Sequence, residues 1–330
     1  MLTIWKNKNF IAYLLWPFSL LYRLIIFFRG KLYQFHIKKI TLFSVPIIVI
    51  GNITVGGSGK TPLLIEIAQF LKNKGWRPGV ISRGYMGKTD HYPCRVHMNS
   101  NPREVGDEPL LIAQATGCPT LVDPERSRGI KTLLGKTNCN IVLSDDGLQH
   151  LALGRDIEIA VVDGQRRFGN GFCLPAGPLR EPLSRLKKVD FIVSKGKAAK
   201  LNEYEMLLIP DHFYQLIQPQ NKKNLGFFYG KKLHVVAGIG NPDQFFSSLR
   251  TLGLTFIEHP FPDHHFFKPN DFNYGNEAII IMTEKDAVKC TGLVDTRLWC
   301  LRSKTKLDES FFDALLRKIT IKQKEKNTNH

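Results

Sequence analysis

Apolar, largely β-branched runs alternate with amphipathic segments between residues 46 and 210 of the 330-residue chain. The short runs predict buried strands, and the segments between them predict helices that cover the faces of a sheet. Regular alternation of strand and helix indicates a doubly wound, mainly parallel sheet, so the predicted fold class is α/β. The predicted strands cover residues 46–50, 78–82, 119–122, 140–144, 157–163 and 190–194.

A second, shorter α/β pattern follows a polar stretch at residues 218–223. It begins with an apolar strand at 231–240, continues with a helix at 242–252, and contains a further strand near 278–283. The last residues of the chain are charged and polar, a composition typical of disorder. The predicted organisation is an N-terminal helical segment at 1–43, a core at 44–226, a smaller C-terminal domain at 227–320 and a disordered tail at 321–330.

The chain is strongly basic, and the distribution of its charge indicates the kind of partner. Lys and Arg number 46 against 29 Asp and Glu, a net charge of +17 that favours anionic partners. No acid occurs from Met1 to Ile65, where basic residues flank an apolar run. Basic charge beside an apolar helix is typical of binding to an anionic membrane surface. Because aromatic and basic RNA-binding motifs are missing from the sequence, we expect no nucleic-acid partner, and we expect no obligate protein partner either.

The N-terminal apolar run covers residues 10–28 and is interrupted by Pro17 and Arg23. A signal peptide would end in a small-residue cleavage site, and none follows the run. A spanning helix would bury Arg23 at a cost of about 2.5 kcal/mol or more. A core helix of a soluble fold is the third alternative. We favour a helix that lies in the membrane interface, because Trp16 and two tyrosines are typical of that depth. The sequence thus predicts a membrane-surface protein that faces the cytoplasm.

The strongest chemical signal is a glycine-rich loop between a predicted strand and a predicted helix. The apolar run VPIIVI (45–50) is followed by TVGGSGKTP (54–62) and then by a segment of helical periodicity. In this context the backbone N–H groups of the loop and the helix N-terminus bind phosphate. Lys60 is predicted to reach the β- and γ-phosphates, and the Thr61 hydroxyl to bind Mg²⁺. The predicted nucleotide-binding residues are Thr54, Val55, Gly56, Gly57, Ser58, Gly59, Lys60 and Thr61.

Acidic residues that could help to hold a metal follow two other predicted elements. Asp145 and Asp146 leave the carboxyl end of a strand, the edge at which doubly wound sheets bind ligands, so we interpret at least one as a metal ligand. In GDEP, Asp107 and Glu108 either start a helix or act at the site as a base or metal ligand. The sequence FPDHH (261–265) could supply a histidine base from a distant part of the chain.

Together, these motifs resemble the tetraacyldisaccharide 4'-kinases, the lipid A 4'-kinases of Gram-negative bacteria. The resemblance runs from about Pro46 to about Lys289, and the N-terminal apolar segment also fits it. Many families share the P-loop, whereas its combination with DDGxQH and LPAGPLREP is specific. The matching stretches are VIGNITVGGSGKTP (49–62), SRGYMGK (82–88), GDEP (106–109), SDDGLQH (144–150), DGQRRFGNGFCLPAGPLREP (163–182), AGIGNPDQFF (237–246), FPDHH (261–265) and TEKDAVK (283–289).

The resemblance implies a kinase that uses ATP and Mg²⁺ to phosphorylate the 4'-hydroxyl of a tetraacylated glucosamine disaccharide 1-phosphate. It places the enzyme at the cytoplasmic face of the bacterial inner membrane. By motif position, it implies that Asp107 and His264 activate the hydroxyl while Lys60 binds the transferred phosphate. The implied metal site comprises Thr61, Glu108, Asp145 and Asp146. The implied residues for the sugar and its phosphate are Arg83, Tyr85, Arg126, Arg180 and Glu181.

Two other classes of protein compete with the kinase. A membrane-associated P-loop GTPase or ATPase would share the loop and the acidic strand end, but it would normally carry a base-reading NKxD sequence. The nearest match, TEKD (283–286), is a distant echo of that sequence or a contact to a nucleotide base. A non-enzymatic membrane- or nucleic-acid-binding protein would leave the P-loop unexplained. We therefore predict a kinase with a P-loop NTPase-type sheet.

Overall fold

The computed structural model describes residues 3–197, 201–290 and 292–328. The helices are α1 (Phe10–Gln34), α2 (Lys60–Asn73), α3 (Pro102–Val105), α4 (Asp107–Thr116), α5 (Arg126–Lys136), α6 (Pro242–Thr251), α7 (Glu284–Ala287) and α8 (Glu309–Thr328). The strands are β1 (Ile47–Gly51), β2 (Pro78–Ser82), β3 (Cys94–Val96), β4 (Thr120–Val122), β5 (Ile141–Asp145), β6 (Ile157–Asp163), β7 (Phe191–Lys195), β8 (Tyr204–Gln215), β9 (Lys222–Lys223), β10 (Leu233–Ala237), β11 (Phe256–Pro260), β12 (Ile279–Thr283) and β13 (Leu298–Leu307).

One sheet of 13 strands runs through the described part of the chain. Its order is β11-β10-β12-β13-β8-β7-β6-β1-β5-β2-β4-β3, with β9 paired to β8. The pairs are parallel except for β13 with β8, β8 with β9 and β3 with β4. The predicted α/β class with a mainly parallel sheet is therefore confirmed.

The six strands predicted for the core occur within one residue of their predicted ends, as β1, β2, β4, β5, β6 and β7. They are easy to predict because β1, β2, β4, β5 and β6 are buried along their whole length and consist mainly of apolar residues. Strand β1 lies between β5 and β6, in parallel to both. The residues that follow β1 and β5 therefore meet at one edge of the sheet, and the candidate site lies there.

The predicted C-terminal domain has its own hydrophobic core but shares the sheet with the first unit. Phe228, Val235, Phe246 and Trp299 belong to that second core. Strands β13 and β8 pair in an antiparallel manner from Trp299 and Gln215 onwards and join the two parts of the sheet. After β13 the chain returns to the first core through α8, so the C-terminal bound predicted at 320 needs correction. The boundary near residue 226 stays a prediction.

The disorder predicted for residues 321–330 is wrong as far as Thr328, because α8 continues to that residue. Phe311, Leu315 and Ile319 recur every four residues and are buried in the first core, so the apolar face of the helix is well anchored. Near its end, Lys326 donates to the Phe43 carbonyl oxygen at 2.7 Å and lies 3.1 Å from the Asp156 carboxylate. These contacts hold the end of α8 in place although its composition is polar. Residues 329–330 lie outside the described part of the chain.

Replacing Phe311 with alanine should lower the free energy of unfolding by roughly 3–5 kcal/mol. The Phe311 side chain is fully buried and packs edge-on against the rings of Phe191 and Tyr204, so its removal leaves a cavity. Urea denaturation followed by circular dichroism measures the change. Ile321→Ala, on the exposed side of the same helix, should change stability by less than about 0.5 kcal/mol. Equal losses for the two variants would contradict the packing described for α8.

Helix α1 lies on the surface and exposes most of its apolar side chains. Only Ala12 and Ser19 are buried, which excludes a core helix. The Ser19 hydroxyl donates to the Cys173 carbonyl oxygen at 2.8 Å, and the Tyr22 hydroxyl donates to the Arg180 carbonyl oxygen at 3.1 Å. Among the described residues, α1 is the one helix long and apolar enough to cross a membrane. Its exposed apolar surface favours membrane association. The depth at which the helix lies in the membrane stays a prediction.

Candidate active site

The glycine-rich loop connects β1 to α2 in the geometry of a phosphate-binding loop. Gly56 and Gly59 have φ angles of 92° and 93°, a region that residues with a Cβ rarely adopt. Helix α2 begins at Lys60, and the first N–H groups of a helix have no partner within it, so this end suits an anion. The Val55 N–H donates to the Pro178 carbonyl oxygen at 2.9 Å, which ties the loop to the LPAGPLREP segment.

Lys60 and Arg180 converge on Asp146, directly beside the loop. The Lys60 Nζ atom lies 3.6 Å from Asp146 Oδ1, and Arg180 Nη1 lies 3.0 Å from both carboxylate oxygens. Burial raises the pKa of Asp146, but the charges of Lys60 and Arg180 outweigh it and hold that pKa below its ordinary value. Asp146 is therefore a stable anion between two cations.

Asp145, at the end of β5, is buried and only partly satisfied. The Ser82 hydroxyl donates to its Oδ2 atom at 3.0 Å, while the buried Oδ1 atom has no hydrogen-bond partner among the described residues. Burial, followed by the charge of Glu108, raises the pKa of Asp145 to about 7. A buried carboxylate oxygen without a partner is costly, so this atom is suited to a ligand that the protein itself does not supply.

Asp107 and His264 come together although 157 residues separate them. Asp107 starts α4, and His264 lies on the loop after β11 with a φ angle of 62°. The His264 Nδ1 atom is 2.9 Å from Asp107 Oδ2, and the carboxylate is only 3% exposed. Burial raises the pKa of Asp107, but the hydrogen bond from His264 and the charge of Lys285 lower it below its ordinary value. The predicted pair therefore exists in the structure as an ionised carboxylate that orients an imidazole.

The TEKD segment supplies a residue that the sequence analysis did not assign. Lys285 lies 3.1 Å from Glu108 Oε1 and 3.9 Å from Asp107 Oδ2. Asp286 is fully buried, where it pairs with Lys289 at 2.7 Å and accepts the Gly238 N–H at 3.1 Å. Asp286 is therefore not available for the base contact considered for TEKD. The segment instead places Lys285 beside the carboxylates of Asp107 and Glu108, and it places Asp286 against the backbone of Gly238. In the sequence, the spacing of three residues between Asp286 and Lys289 was the signal that could have indicated this ion pair.

One cleft, with a volume of about 950 Å³, is lined by Lys60, Glu108, Asp145, Asp146, Arg180, His264 and Lys285. Tyr85 contributes a ring 5.5 Å from that of His264, in an edge-to-face arrangement. Arg126 is buried, and its Nη1 atom donates to the Asp123 carbonyl oxygen at 3.2 Å. The predicted site residues that line the cleft are Val55, Gly56, Gly57, Lys60, Arg83, Tyr85, Glu108, Arg126, Asp145, Asp146, Arg180 and His264.

Glu181 is not among the residues that line the cleft, and its predicted contact with the substrate stays a prediction. Its Oε1 atom accepts a hydrogen bond from Gln149 Nε2 at 2.7 Å, and its Oε2 atom lies 3.2 Å from Arg185 Nε. Gln149 and His150 do line the cleft, and both belong to the DDGLQH motif without having been selected from it. Glu181 is therefore a support for Gln149, whose side chain it holds at the edge of the cleft.

A family model described as tetraacyldisaccharide-1-P 4'-kinase matches residues 11–320 of the chain. The chain belongs to this family. A relative from Coxiella burnetii (strain RSA 331 / Henzerling II), named tetraacyldisaccharide 4'-kinase, is 46% identical over 316 residues, covering 96% of this chain and 94% of its own. A relative of the same name from Legionella pneumophila (strain Corby) is 46% identical over 311 residues, covering 94% of each chain.

A solved structure of the same family has the same fold. The "apo" form of LpxK from Aquifex aeolicus, in complex with ATP, superimposes with a TM-score of 0.79 at 29% identity. The match covers 94% of this chain and 99% of that one. Family membership confirms the resemblance drawn from the motifs and the predicted enzyme class, a kinase that acts on a hydroxyl group. It excludes the GTPase and the non-enzymatic binding protein as alternatives.

Proposed function

We propose that this protein transfers the γ-phosphate of ATP to the 4'-hydroxyl of a tetraacylated glucosamine disaccharide 1-phosphate, a step of lipid A biosynthesis. The observation that carries this proposal is that Lys60 of the phosphate-binding loop and His264 of the buried Asp107 pair face the same cleft. A phosphate-donor site and a base that face the same cavity are suited to phosphate transfer to a hydroxyl acceptor bound in that cavity. The family name supplies the class of that acceptor.

The loop from Thr54 to Thr61 binds the phosphates of ATP through its backbone N–H groups and the start of α2. Lys60 lies at the β- and γ-phosphates and withdraws negative charge from the group that moves. Arg180, held by Asp146 at 3.0 Å, adds a second cation beside Lys60. Because these groups are already fixed by ion pairs, they need little rearrangement when charge develops during transfer.

His264 is the residue that accepts the proton of the acceptor hydroxyl. The Asp107 carboxylate accepts a hydrogen bond from Nδ1–H, so the lone pair of the neutral ring lies on Nε2. Nε2 can then take the proton as the hydroxyl oxygen attacks the γ-phosphorus. Tyr85 packs against the ring and restricts its rotation. Asp107 does not line the cleft, so it acts through His264 as a positioning residue.

The residues around the loop fit Mg²⁺, which the predicted chemistry requires. Carboxylate and hydroxyl oxygens are the ligands that Mg²⁺ prefers, and Asp145 offers a buried oxygen with no partner among the described residues. When bound, the ion neutralises charge on the β- and γ-phosphate oxygens. The Glu108 carboxylate lies 3.1 Å from Lys285 and lines the same cleft as Asp145 and Asp146. The residues proposed to hold the ion are Thr61, Glu108, Asp145 and Asp146.

We further propose that the enzyme works at the cytoplasmic face of the inner membrane and binds its anionic surface through α1. The basic N-terminal segment and the exposed apolar face of that helix support this location. The helix contacts Cys173 through Ser19 and Arg180 of the LPAGPLREP segment through Tyr22, so a membrane-bound α1 brings the cleft to the lipid headgroups. We propose neither a nucleic-acid partner nor an obligate protein partner.

Transfer of ³²P from labelled ATP to a tetraacylated disaccharide 1-phosphate in detergent micelles tests the proposal. Labelled lipid should form with the acceptor present, and ATP consumption should fall to a low background when the acceptor is omitted. The same lipid with its 4'-hydroxyl blocked should remain unlabelled. Rapid ATP consumption without an acceptor, and with no labelled lipid, would overturn the proposed function.

A further inference from the structure

A buried ion pair from the TEKDAVK segment holds the backbone beside His264. Asp286 is fully buried, as is the side chain of Lys289, and Lys289 Nζ lies 2.7 Å from Asp286 Oδ1. Lys289 Nζ also donates to the Gly238 carbonyl oxygen at 2.7 Å, and the Gly238 N–H donates to Asp286 Oδ1 at 3.1 Å. The ion pair therefore binds both polar backbone groups of Gly238, the residue that follows β10.

Gly238 in turn fixes the backbone of His264. The His264 N–H donates to the Gly238 carbonyl oxygen at 3.2 Å, the same oxygen that accepts from Lys289, and to the carboxylate of Asp263 at 3.1 Å. His264 has a φ angle of 62°, which is costly for a residue with a Cβ and persists only where the surroundings hold it. Because the direction of the ring follows from the backbone, the buried contact at Gly238 helps to place the imidazole at the Asp107 carboxylate.

The same segment also contacts the helix that carries Asp107. Asp107 is the first residue of α4, and α7 packs against α4. Val288, which precedes Lys289, belongs to the same buried hydrophobic cluster as Leu110 of α4. One short segment thus contacts the support of the carboxylate on one side and the support of the imidazole on the other, so it is placed to set the distance between them.

We propose that Asp286 and Lys289 are positioning residues for the base: through Gly238 they hold His264 in the orientation in which its ring pairs with Asp107. This inference rests on the proposed function, since it names residues that act on phosphate transfer through His264. Neither Asp286 nor Lys289 lines the cleft, so neither is placed to contact the nucleotide or the acceptor. A buried ion pair is often no more stabilising than apolar side chains of similar volume, so the two backbone groups that it binds explain its presence here.

The test removes both charges of the ion pair together, because Asp286→Asn combined with Lys289→Met leaves no unpaired charge in the interior. The matched control, Glu284→Gln combined with Arg302→Met, removes the other ion pair of the same short helix. Glu284 binds Arg302 and the Ser303 N–H, and neither Glu284 nor Arg302 is among the residues that line the cleft. Transfer of ³²P in micelles gives kcat and the KM for ATP of each protein, and thermal melting reports its stability.

A second variant disturbs the same contact without removing a charge. A Cβ atom at Gly238 would lie 3.2 Å from Asp286 Oδ1 and 3.3 Å from both Lys289 Nζ and His265 Cβ. Gly238→Ala therefore forces these neighbours to shift by a few tenths of an ångström. Each of the two test variants is made in the wild-type chain and in the His264→Gln chain, so that effects through the imidazole can be separated from effects on the fold.

The paired variant should lower kcat by about 10- to 100-fold and Gly238→Ala by about 3- to 10-fold, because small displacements of a catalytic group are costly. The KM for ATP should stay nearly unchanged in both, since Lys60 and Arg180 are held by other residues. In the His264→Gln chain the same changes should lower kcat by less than about threefold further, because the ring that they position is already absent. The control pair should keep most of the wild-type kcat.

An equal loss of kcat in the wild-type and His264→Gln chains would overturn the inference, because the ion pair would then serve the fold alone. Wild-type kcat in the paired variant, or an equal loss in the control pair, would overturn it as well. If the paired variant shows no cooperative melting, Gly238→Ala decides: an unchanged kcat overturns the inference, and a loss confined to the chain with His264 supports it. If the wild type labels no lipid, the proposed function fails and the inference with it, which is recognisable before any variant is compared.

Discussion

His264→Gln should lower kcat for phosphate transfer by about 10²- to 10⁴-fold and leave the KM for ATP nearly unchanged. The imidazole lies 2.9 Å from the buried Asp107 carboxylate and faces the cleft, so it is placed to take the proton of the acceptor hydroxyl. Glutamine keeps a polar side chain of similar length but cannot accept that proton. The nucleotide site remains intact, since Lys60 and Arg180 are held by other residues. Initial rates at saturating ATP and acceptor measure the effect.

The adjacent histidine provides a matched control for this prediction. His265 pairs with Asp271 at 2.8 Å and does not line the cleft, so His265→Gln should retain most of the activity. Asp107→Asn should reproduce much of the loss, because the amide no longer orients the ring as an anion does. The double variant should lose little more than His264→Gln alone, since the two residues act as one unit. Additive losses, or equal losses for His264 and His265, would refute the pair as the base.

The phosphate-binding loop could be predicted from sequence because its chemistry is local. A buried strand, three glycines and a helix that begins at Lys60 are consecutive in the chain, and each has a recognisable pattern. Asp145 and Asp146 could also be predicted, since Asp145 ends a fully buried strand and Asp146 follows it. Local patterns thus predicted the loop, the two aspartates and the strands that position them, while the roles of these residues toward the donor stay predictions.

The acceptor half of the cleft depends on contacts between distant residues, which local patterns do not encode. Asp107 could equally have been a helix-start residue, and only the resemblance to a family paired it with His264. Lys285 comes from the TEKD segment, for which the sequence left open a distant echo of NKxD or a base contact, and it reaches Glu108 across 177 residues. The sequence does not distinguish the carboxylate of Glu181 from that of Asp146. Only the structure shows that the Glu181 carboxylate is bound by Gln149 and Arg185. Which acids face the cavity is a tertiary property.

The strand that joins the two units was missed for a local reason. Strand β8 contains Pro210 and two acids, Glu205 and Asp211, a composition that argues against a central strand. The register against β13 shifts between Arg302 and Ser303, and this irregularity lies beside Pro210. A bulge removes the need for a ladder hydrogen bond from proline, so the strand tolerates it. The bulge depends on both strands and is not visible in either one alone.

Lys60→Met should lower kcat/KM for phosphate transfer by about 10²- to 10³-fold or more. The Lys60 Nζ atom is fixed by Asp146 at 3.6 Å and Asn52 at 3.4 Å, at the start of α2 where the loop receives the phosphates. Methionine fills similar space without the charge, so the loop keeps its conformation and the developing negative charge loses its nearest cation. Transfer of ³²P to the lipid acceptor measures the loss.

Lys74→Met is the matched control, because Lys74 is an exposed lysine at the C-terminal cap of the same helix, away from the cleft. It should retain activity and should have an unchanged melting temperature. The two large losses can be told apart by background ATP hydrolysis without acceptor. Lys60→Met should suppress this hydrolysis, since it weakens the donor site, whereas His264→Gln should leave it nearly unchanged. If Lys60→Met kept more than about a tenth of the wild-type transfer rate, the loop at Thr54–Thr61 could not be the site at which the moving phosphate is bound.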